Sequence, residues 1–329
     1  MNRSRFLFEL SGEHPTLPRA EVVACLEAEG VEHSIVSDGP GYLVAEFDES
    51  MLGEVAKRLA LTHRIGRYLG SATAESLKGF LRSLSLPDGT ISVRAKRFGG
   101  TVGPEQSAAA SKAAAEALAK GRKVDLTSAE VRVRILLSDR LHFYLEQAVI
   151  DRAQYDERHV RSRPFFSPIS LHPRYARALV NLTRVRQGQR LLDPFCGTGG
   201  ILIEAALLGA RALGSDLSQE MLDGCALNMK HFHTRPERLE LVDVGEIAET
   251  FGSVEAIATD PPYGRSASTM REPMKELHLR AIGSIRDVIR PGGTAAIVLP
   301  WDCRESFDVM EHHEQRVHRS LTRHYCLIR

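Results

Sequence analysis

Apolar side chains in the first 150 residues follow both strand-like and helix-like patterns. Residues 5–10 (RFLFEL) predict a strand by alternation, and the alanine-rich stretch 105–120 before Gly121 predicts a helix with a glycine stop. The same criteria predict further strands at 42–47, 90–97, 131–137 and 141–149, and further helices at 18–30 and 50–61. A mixture in this order predicts an α+β first half.

The pattern changes after a polar, arginine-rich stretch at residues 151–166. Short apolar strands then alternate with helices, an order that implies a parallel, doubly wound α/β sheet. The expected strands are 189–193, 211–215, 239–243, 254–259 and 294–299, and the expected helices are 173–185, 199–209, 218–231 and 274–290. Two final strands are expected at 314–321 and 323–328.

Length and composition set the broad class of protein. The 329 residues predict two domains, or three small ones. A hydrophobic fraction of 43% with 26% charged residues excludes a disordered, collagen-like or coiled-coil chain. No apolar run reaches the roughly 20 residues of a membrane span, and the first residues lack the apolar region of a signal peptide. We therefore expect a cytoplasmic protein.

Cysteine and histidine usage bears on redox state and on metals. The five cysteines are scattered without a Cys-x-x-Cys pair, which favours reduced thiols over a disulfide framework. Among the 13 histidines, the densest group is His312, His313 and His318, and no cysteine or carboxylate stands beside it at zinc-site spacing. We therefore predict no metal site.

The net charge of +1 hides a strong segregation of charge along the chain. Residues 1–50 carry 3 Lys+Arg and 10 Asp+Glu, a net charge of −7, whereas residues 51–135 carry 15 and 7, a net charge of +8. Residues 152–190 add nine arginines against two acids. This asymmetry suggests a polyanionic partner for the basic part, although surface charges that merely alternate between segments would give the same counts.

A glycine-rich turn joins a predicted strand to a predicted helix in RLLDPFCGTGGILIEAALLG (190–209). In an open α/β sheet, this turn brings backbone N–H groups and the Asp193 carboxylate to the edge where ligands bind. The dinucleotide fingerprint requires a small residue at position 202, where this chain has Leu202. The turn therefore need not hold a pyrophosphate.

Three acids stand at the ends of three successive predicted strands. Asp193 suits an ammonium group or a sugar, and Asp216 lies 23 residues further on, where ribose hydroxyls are bound. Asp243 could accept a hydrogen bond from an adenine amine. Together they describe a nucleoside cofactor without phosphate, which is S-adenosylmethionine. The alternative is that the glycines only make the turn tight and the acids are surface caps.

The strand predicted at 254–259 is followed by Asp260-Pro261-Pro262-Tyr263-Gly264. An exocyclic amine on a nucleobase is a poor nucleophile because its lone pair is delocalised into the ring. Acceptors aimed at its N–H groups favour the reactive pyramidal form, and the Asp260 carboxylate and Pro261 carbonyl could be these acceptors. Prolines fix the backbone, and Tyr263 offers a face to an unstacked base. Asp260 could also take up the released proton. The alternative is a proline-rich turn with a packed tyrosine.

These motifs resemble those of a known family. DPFCGTG (193–199) together with DPPYG (260–264) resembles the Class I amino-methyltransferases. RPFFSPISLHPRYARALVNL (163–182) is similar to the motif that precedes the glycine loop in archaeal tRNA guanosine methyltransferases, where it closes over the methionine end of the cofactor. VRAKR (93–97) and VDL (124–126) resemble a THUMP domain, which binds the acceptor end of tRNA. Nearly the whole chain thus resembles the THUMP-containing tRNA methyltransferases that modify the exocyclic amine of guanosine at position 10.

The resemblance implies a domain order and a set of site residues. The domains would be a ferredoxin-like segment at 1–50, a THUMP domain at 51–150, a linker at 151–164 and a Rossmann-like methyltransferase domain at 165–329. The catalytic residues would be Asp260, Pro261, Pro262 and Tyr263. The cofactor-binding residues would be Phe166, His172, Asp193, Phe195, Cys196, Gly197, Gly199, Asp216, Leu217, Asp243 and Val244, with a packing role equally open for Phe166. The RNA-binding residues would be Arg94, Lys96, Arg97, Lys120, Arg122, Lys123 and Arg265, each of which could also be an ordinary surface cation.

The implied reaction moves a methyl group from S-adenosylmethionine to the 2-amino group of a guanosine in tRNA, once or twice. Relatives that methylate guanosine elsewhere in tRNA or in ribosomal RNA often carry Asn in place of Asp260, which favours position 10. A DNA adenine methyltransferase shares the DPPY chemistry but would need a target-recognition segment, and an inactive RNA-binding protein would not need the intact acids. Eukaryotic relatives require a small zinc-binding activator subunit, and the sequence leaves open whether this chain does.

Overall fold

The computed structural model describes residues 3–99, 103–167, 170–263, 272–319 and 321–329. The chain divides into two compact units. The first contains most of the chain up to residue 151, and the second contains residues 152–329 together with 23–30 and 58–60. None of the described helices is long and apolar enough to cross a membrane.

The first unit is built on one seven-stranded sheet. Its strands are β1 (Arg3–Leu10), β2 (Ser34–Gly39), β3 (Tyr42–Asp48), β4 (Thr62–Ala72), β5 (Ile91–Arg97), β6 (Val131–Leu137) and β7 (Leu141–Val149). They lie in the order β2-β3-β1-β4-β7-β6-β5, and all neighbours are antiparallel except β5 and β6. The helices of this half of the chain are α1 (Leu17–Ala28), α2 (Leu52–Arg58), α3 (Leu77–Ser83) and α4 (Pro104–Ala119).

Strand β4 makes this sheet continuous across residue 50, where the family resemblance implied a domain boundary. It pairs with β1 on one side and with β7 on the other. The sequence pattern missed β4, because its arginines and glycines hide the alternation. Arg64 is compensated by Glu146 of β7 (Nε to Oε2, 3.1 Å). A Cβ at Gly66 would come within 2.2 Å of the Leu145 carbonyl oxygen, so β7 can approach only a glycine. The division into ferredoxin-like and THUMP parts stays a prediction.

The second unit contains a seven-stranded sheet in the order β10-β9-β8-β11-β12-β14-β13. Its strands are β8 (Arg190–Asp193), β9 (Arg211–Asp216), β10 (Arg238–Leu241), β11 (Val254–Thr259), β12 (Ile289–Leu299), β13 (Glu311–His318) and β14 (Leu321–Ile328). The first five strands of that order are parallel, and β14 runs antiparallel to both of its neighbours. The predicted doubly wound α/β fold is therefore confirmed.

Helices cover both faces of this second sheet. They are α5 (Ala153–Glu157), α6 (Pro173–Leu182), α7 (Gly200–Leu207), α8 (Gln219–His231), α9 (Ile247–Phe251) and α10 (Met274–Val288). Strand β14 shows the two faces, because its side chains alternate. The ring of Tyr325 lies 6.3 Å from that of Tyr175 on α6, whereas Cys326 and Ile328 share a buried core with Ile285 of α10.

The expectation of reduced thiols is wrong for two of the five cysteines. Cys303 and Cys326 form a disulfide, 23 residues apart in sequence and 6.5 Å apart between Cα atoms. The fold brings them together from the turn after β12 and from β14, so no sequence spacing reveals the pair. Cys25, Cys196 and Cys225 are free and buried.

The histidines that the sequence singled out are rearranged by the fold. In the part of the chain that the structure describes, the donor atoms of Asp302, His312 and His324 lie within 4.8 Å of one another. His312 Nε2 and His324 Nδ1 share a hydrogen bond of 2.9 Å, and Asp302 pairs with Arg304. The hydrogen bond and the ion pair give these side chains partners within the protein.

Two of the four arginines in the segment predicted as a linker, Arg158 and Arg163, are buried. The segment contains α5 and a 3-10 turn at Val160–Ser162. Arg158 donates to both carboxylate oxygens of Glu204 on α7 (2.7 and 3.1 Å), and Arg177 of α6 donates to the same side chain at 2.9 Å. All three side chains are buried. Their charges compensate one another inside the protein, so these arginines are not available to a polyanionic partner.

Candidate active site

The glycine loop leads from β8 into α7 at the carboxyl edge of the second sheet. Gly199 is the N-cap of α7 with φ +81°, a left-handed conformation that favours glycine. A Cβ at this position would also come within 2.6 Å of the Cys225 sulfur. Both the backbone conformation and the close contact with α8 therefore require glycine at this turn.

A cavity of about 830 Å³ opens at this edge. Its walls come from the segments that follow β8, β9, β10 and β11. Most of the residues predicted from sequence stand in these walls: Asp193, Phe195, Cys196, Gly197, Asp216, Leu217, Asp243, Val244, Asp260, Pro261, Pro262 and Tyr263. The four strand ends therefore do converge on one site.

Asp193 is the most deeply buried acid of the cavity, with 1% of its surface exposed. One of its oxygens accepts hydrogen bonds from the Thr259 hydroxyl (2.7 Å) and from the Phe195 amide (3.1 Å). Burial raises the pKa of Asp193 to about 7, although these two hydrogen bonds oppose the rise. A cationic ligand next to this carboxyl group would favour its ionised form.

Asp216 joins the end of β9 to the glycine loop. Its two oxygens accept from the backbone amides of Gly197 and Ser218, each at 3.0 Å. Burial raises the pKa of this carboxyl group. Each oxygen keeps a further lone pair, so Asp216 can still accept from ligand hydroxyls.

Asp243 has a partner that the sequence did not indicate. Arg280 of α10 donates to both of its oxygens and also to Glu272 (2.7 Å), and the Gly245 amide donates to Oδ1 at 2.8 Å. Burial would raise the pKa of Asp243, but these donors lower it below its usual value. Arg280 and Glu272 both line the cavity. The helical pattern predicted α10, but it could not tell which of its side chains faces the strand ends.

The Asp260–Tyr263 loop forms the wall of the cavity after β11. The Tyr263 hydroxyl donates a hydrogen bond to Asp260. Burial raises the pKa of Asp260 to about 7; the positive charge of Arg323 opposes this rise, and the negative charge of Asp193 adds to it. The carboxyl group can therefore change its protonation state near neutral pH.

A buried histidine and a partly buried tryptophan fix the backbone of this loop from behind. His278 Nε2 lies 2.9 Å from the Pro262 carbonyl oxygen, and the Trp301 indole N–H donates to His278 Nδ1 at 3.0 Å. A carbonyl only accepts and an indole N–H only donates, so His278 carries its proton on Nε2. Burial lowers the pKa of His278, which keeps the ring neutral. Sequence gave no indication of this chain of hydrogen bonds.

Comparison with known proteins agrees with this geometry. The model of the UPF0020 family, described as an RMKL-like methyltransferase domain, matches residues 160–324. The tRNA (guanine(10)-N2)-dimethyltransferase of Methanothermobacter thermautotrophicus is 35% identical over 95% of this chain and 96% of its own length. The enzyme of the same name from Pyrococcus abyssi is 32% identical over 98% and 99%.

The chain belongs to the tRNA (guanine(10)-N2)-dimethyltransferase family. It is an S-adenosylmethionine-dependent methyltransferase. Among solved structures, TrmN from Thermus thermophilus is similar over 98% of both chains, with a TM-score of 0.57 and 21% identity. That likeness shows the fold.

Three residues predicted to bind the cofactor are not in the cavity wall: Gly199, which caps α7 instead, Phe166 and His172. Phe166 is exposed, at 56% of its surface. His172 caps α6 by accepting from the Arg174 amide, and its Nε2 lies 3.4 Å from Asp156. The neighbouring Ser167, by contrast, does line the cavity. The motif thus reaches the site through other side chains than those predicted.

Three of the predicted RNA-binding residues of this methyltransferase lie on β5, an edge strand of the first sheet. Arg94, Lys96 and Arg97 all lie on its exposed part. Arg94 donates to the Leu126 carbonyl oxygen (2.8 Å), and Lys96 pairs with the buried Glu9 (2.7 Å). Arg97 has the most direct access to a partner.

The other predicted cations flank the end of α4. Lys120 and Lys123 are exposed. Arg122 donates to the Gly89 carbonyl oxygen (3.1 Å) and thereby braces its own loop. Arg265 lies outside the described residues.

Proposed function

We propose that this chain methylates the 2-amino group of a guanosine in tRNA, at position 10, the position in its relatives' names. The observation that carries the proposal is the Asp260–Tyr263 loop, which stands in the wall of the same cavity as the strand-end carboxylates. Methylation of a nucleobase amine needs acceptors for its N–H groups next to an alkylating cofactor, and this loop provides them.

Asp260 and the Pro261 carbonyl are the proposed acceptors for the two N–H groups of the amine. The Tyr263 hydroxyl donates to Oδ1 of Asp260, and the carboxylate keeps further lone pairs for the amine. The Tyr263 ring offers its face to the base. As the new N–C bond forms, the bond between the methyl carbon and the sulfonium sulfur breaks, and a neutral thioether leaves. The nitrogen becomes positively charged and releases a proton, which Asp260 accepts with its pKa of about 7.

We propose that the loop serves two successive transfers, because the relatives are named dimethyltransferases. After the first transfer the nitrogen keeps one N–H group. One of the two acceptors still holds it, and the other no longer has a donor to bind. The second transfer therefore relies on fewer hydrogen bonds than the first.

The cavity suits S-adenosylmethionine by its size and by the chemistry of its walls. Its volume of about 830 Å³ lies within the range of small-molecule sites. When bound, this cofactor supplies a methyl group on a cationic sulfonium. Asp193 would hold the ammonium group and Asp216 the ribose hydroxyls. Asp243 is shared with Arg280, so we give it the smaller role of orienting the adenine.

We assign tRNA binding to the first unit, in which the predicted THUMP domain lies. The exposed cations Arg97, Lys120 and Lys123 are the best placed to contact phosphates. We propose the cytoplasm as the place of action. A small zinc-binding activator remains a candidate partner, and assay of the purified chain alone decides whether one is needed.

The test is methyl transfer from labelled S-adenosylmethionine to total tRNA, ribosomal RNA and duplex DNA in parallel. We expect label in tRNA. Asp260→Ala should abolish transfer, because it removes an acceptor and the proton carrier, while tRNA binding stays within a few-fold of wild type. Label only in DNA would overturn the substrate, and activity retained by Asp260→Ala would overturn the mechanism.

A further inference from the structure

Arg323 lies beside the Asp260–Tyr263 loop, which we call the catalytic loop. It lies on the side of this loop that faces away from β8, β9 and β10. In the second sheet, β8, β9 and β10 lie on one side of β11, and β12 and β14 lie on the other. Arg323 lies near the beginning of β14 and is paired with Gln315 of β13. Because β14 is antiparallel to β12, its beginning reaches the same carboxyl edge as Asp260.

The guanidinium of Arg323 lies next to this loop. Its central carbon lies 5.9 Å from the centre of the Tyr263 ring, and its charge acts on Asp260. Its Nε is buried and has no hydrogen-bond partner within the described ranges. A buried donor without a partner is costly, and this one stands beside the two side chains that would hold the substrate base.

Arg323 does not belong to the cavity that we assign to the cofactor, since it is absent from the residues that line it. The charge and the free donor therefore point to the second ligand of the reaction, which is the base itself. A guanine that presents its 2-amino group to Asp260 carries two adjacent acceptors, O6 and N7, on the edge that faces away from this amine. The planar fork of an arginine matches this pair of acceptors.

We propose that Arg323 forms a subsite for the O6/N7 edge of the guanine whose amine is methylated. This inference rests on the proposed function. A purine with an amine at carbon 6 would place a donor against the guanidinium, so the subsite rejects such a base. Arg323 thus selects guanine by the edge that the catalytic loop does not touch.

The experiment compares two tRNA substrates that both carry the reactive 2-amino group. One has guanosine at the target position, and the other has 2,6-diaminopurine riboside, in which an amine replaces O6. We expect wild-type protein to prefer guanosine in kcat/KM. Arg323→Ala should lower kcat/KM for guanosine by about 10- to 100-fold, with a much smaller change for diaminopurine, so that the preference collapses.

Two further variants separate this role from others. Arg316→Ala removes an exposed cation from the neighbouring strand β13 and should leave the preference unchanged. Arg323→Lys keeps the positive charge beside Asp260 but loses the two-pronged guanidinium. We therefore expect its preference for guanosine to be weaker than that of the wild-type protein, and its pH profile to be the same. If methyl transfer by Arg323→Ala is too slow to measure, Arg323→Lys provides the comparison of the two substrates.

Equal losses on both substrates, or a preference that survives in Arg323→Ala and Arg323→Lys, would overturn the subsite. Failure of the wild-type protein to methylate the 2-amino group at all would instead overturn the proposed function. The two failures are therefore distinguishable in one set of assays.

Discussion

Asp260 unites two requirements of amine methylation in one side chain. As a carboxylate it accepts from the amine, and with a pKa that burial raises to about 7 it is basic enough to take the proton afterwards. Arg323 opposes the rise and Asp193 adds to it. The catalytic carboxyl group is thus set by its neighbours to work near neutral pH.

We predict that the single-turnover rate of methyl transfer rises with pH through about 7 and then reaches a plateau. Below this pKa the protonated Asp260 has lost the charge that attracts the amine. In Asp260→Asn the amide oxygen still accepts but does not titrate, so transfer should be slower and without this inflection. The measurement is the rate over about pH 5.5–9. An inflection that persists in Asp260→Asn would assign the titration to Asp193 instead.

The acids of the site could be predicted from sequence, whereas their cationic partners could not. Asp193, Asp216 and Asp260 each follow a recognisable strand, and parallel strands bring their carboxyl ends to one edge. Arg280 meets Asp243, and Arg323 approaches Asp260, only through the packing of α10 and the pairing of β14. No local pattern marks such a long-range pair.

At the scale of elements, the segment before α6 is attached to α7 by a buried ion cluster. Glu204 is 1% exposed and forms ion pairs with Arg158 and Arg177. Arg163 extends the contact, since its Nη1 lies 3.3 Å from Ser170 in the cavity wall. The sequence suggested an arginine-rich linker because solvent-exposed and internally paired arginines look the same in a charge count.

We expect Glu204→Gln to destabilise the protein by about 3 kcal/mol or more, because two buried guanidinium groups lose their counter-charge. The midpoint of urea unfolding, followed by tryptophan fluorescence, measures the effect. Glu220→Gln on the exposed face of α8 is the matched control and should shift the midpoint little. A loss below about 1 kcal/mol in Glu204→Gln would show that the cluster contributes little to stability.

The strands of the second sheet were more predictable than those of the first. β8, β9 and β11 are short and bounded by turn residues, and the buried part of the 11-residue β12 is an apolar run, because both faces of these strands are covered. β2 is half exposed along its whole length, and β4 carries arginines that only neighbouring strands neutralise. Both therefore lack the alternation that a strand with one buried face displays.

At the scale of the molecule, the near-zero net charge is the sum of three groups of charged side chains that have different roles. Acids at the strand ends surround the proposed cofactor cavity, internal arginines neutralise Glu204, and exposed cations remain on the first unit. The disulfide between Cys303 and Cys326 was equally hidden from a count of residues. Counting shows that residues 51–135 are basic, but it cannot separate structural from binding charges.

The proposed activity is tested most directly by nucleoside mass spectrometry of tRNA treated with the purified protein and S-adenosylmethionine, with the modified position mapped by nuclease digestion. We predict N2-methylguanosine followed by N2,N2-dimethylguanosine at position 10, and neither product with Asp260→Ala. Methylation confined to another atom of guanine, or to a base other than guanine, would contradict this prediction.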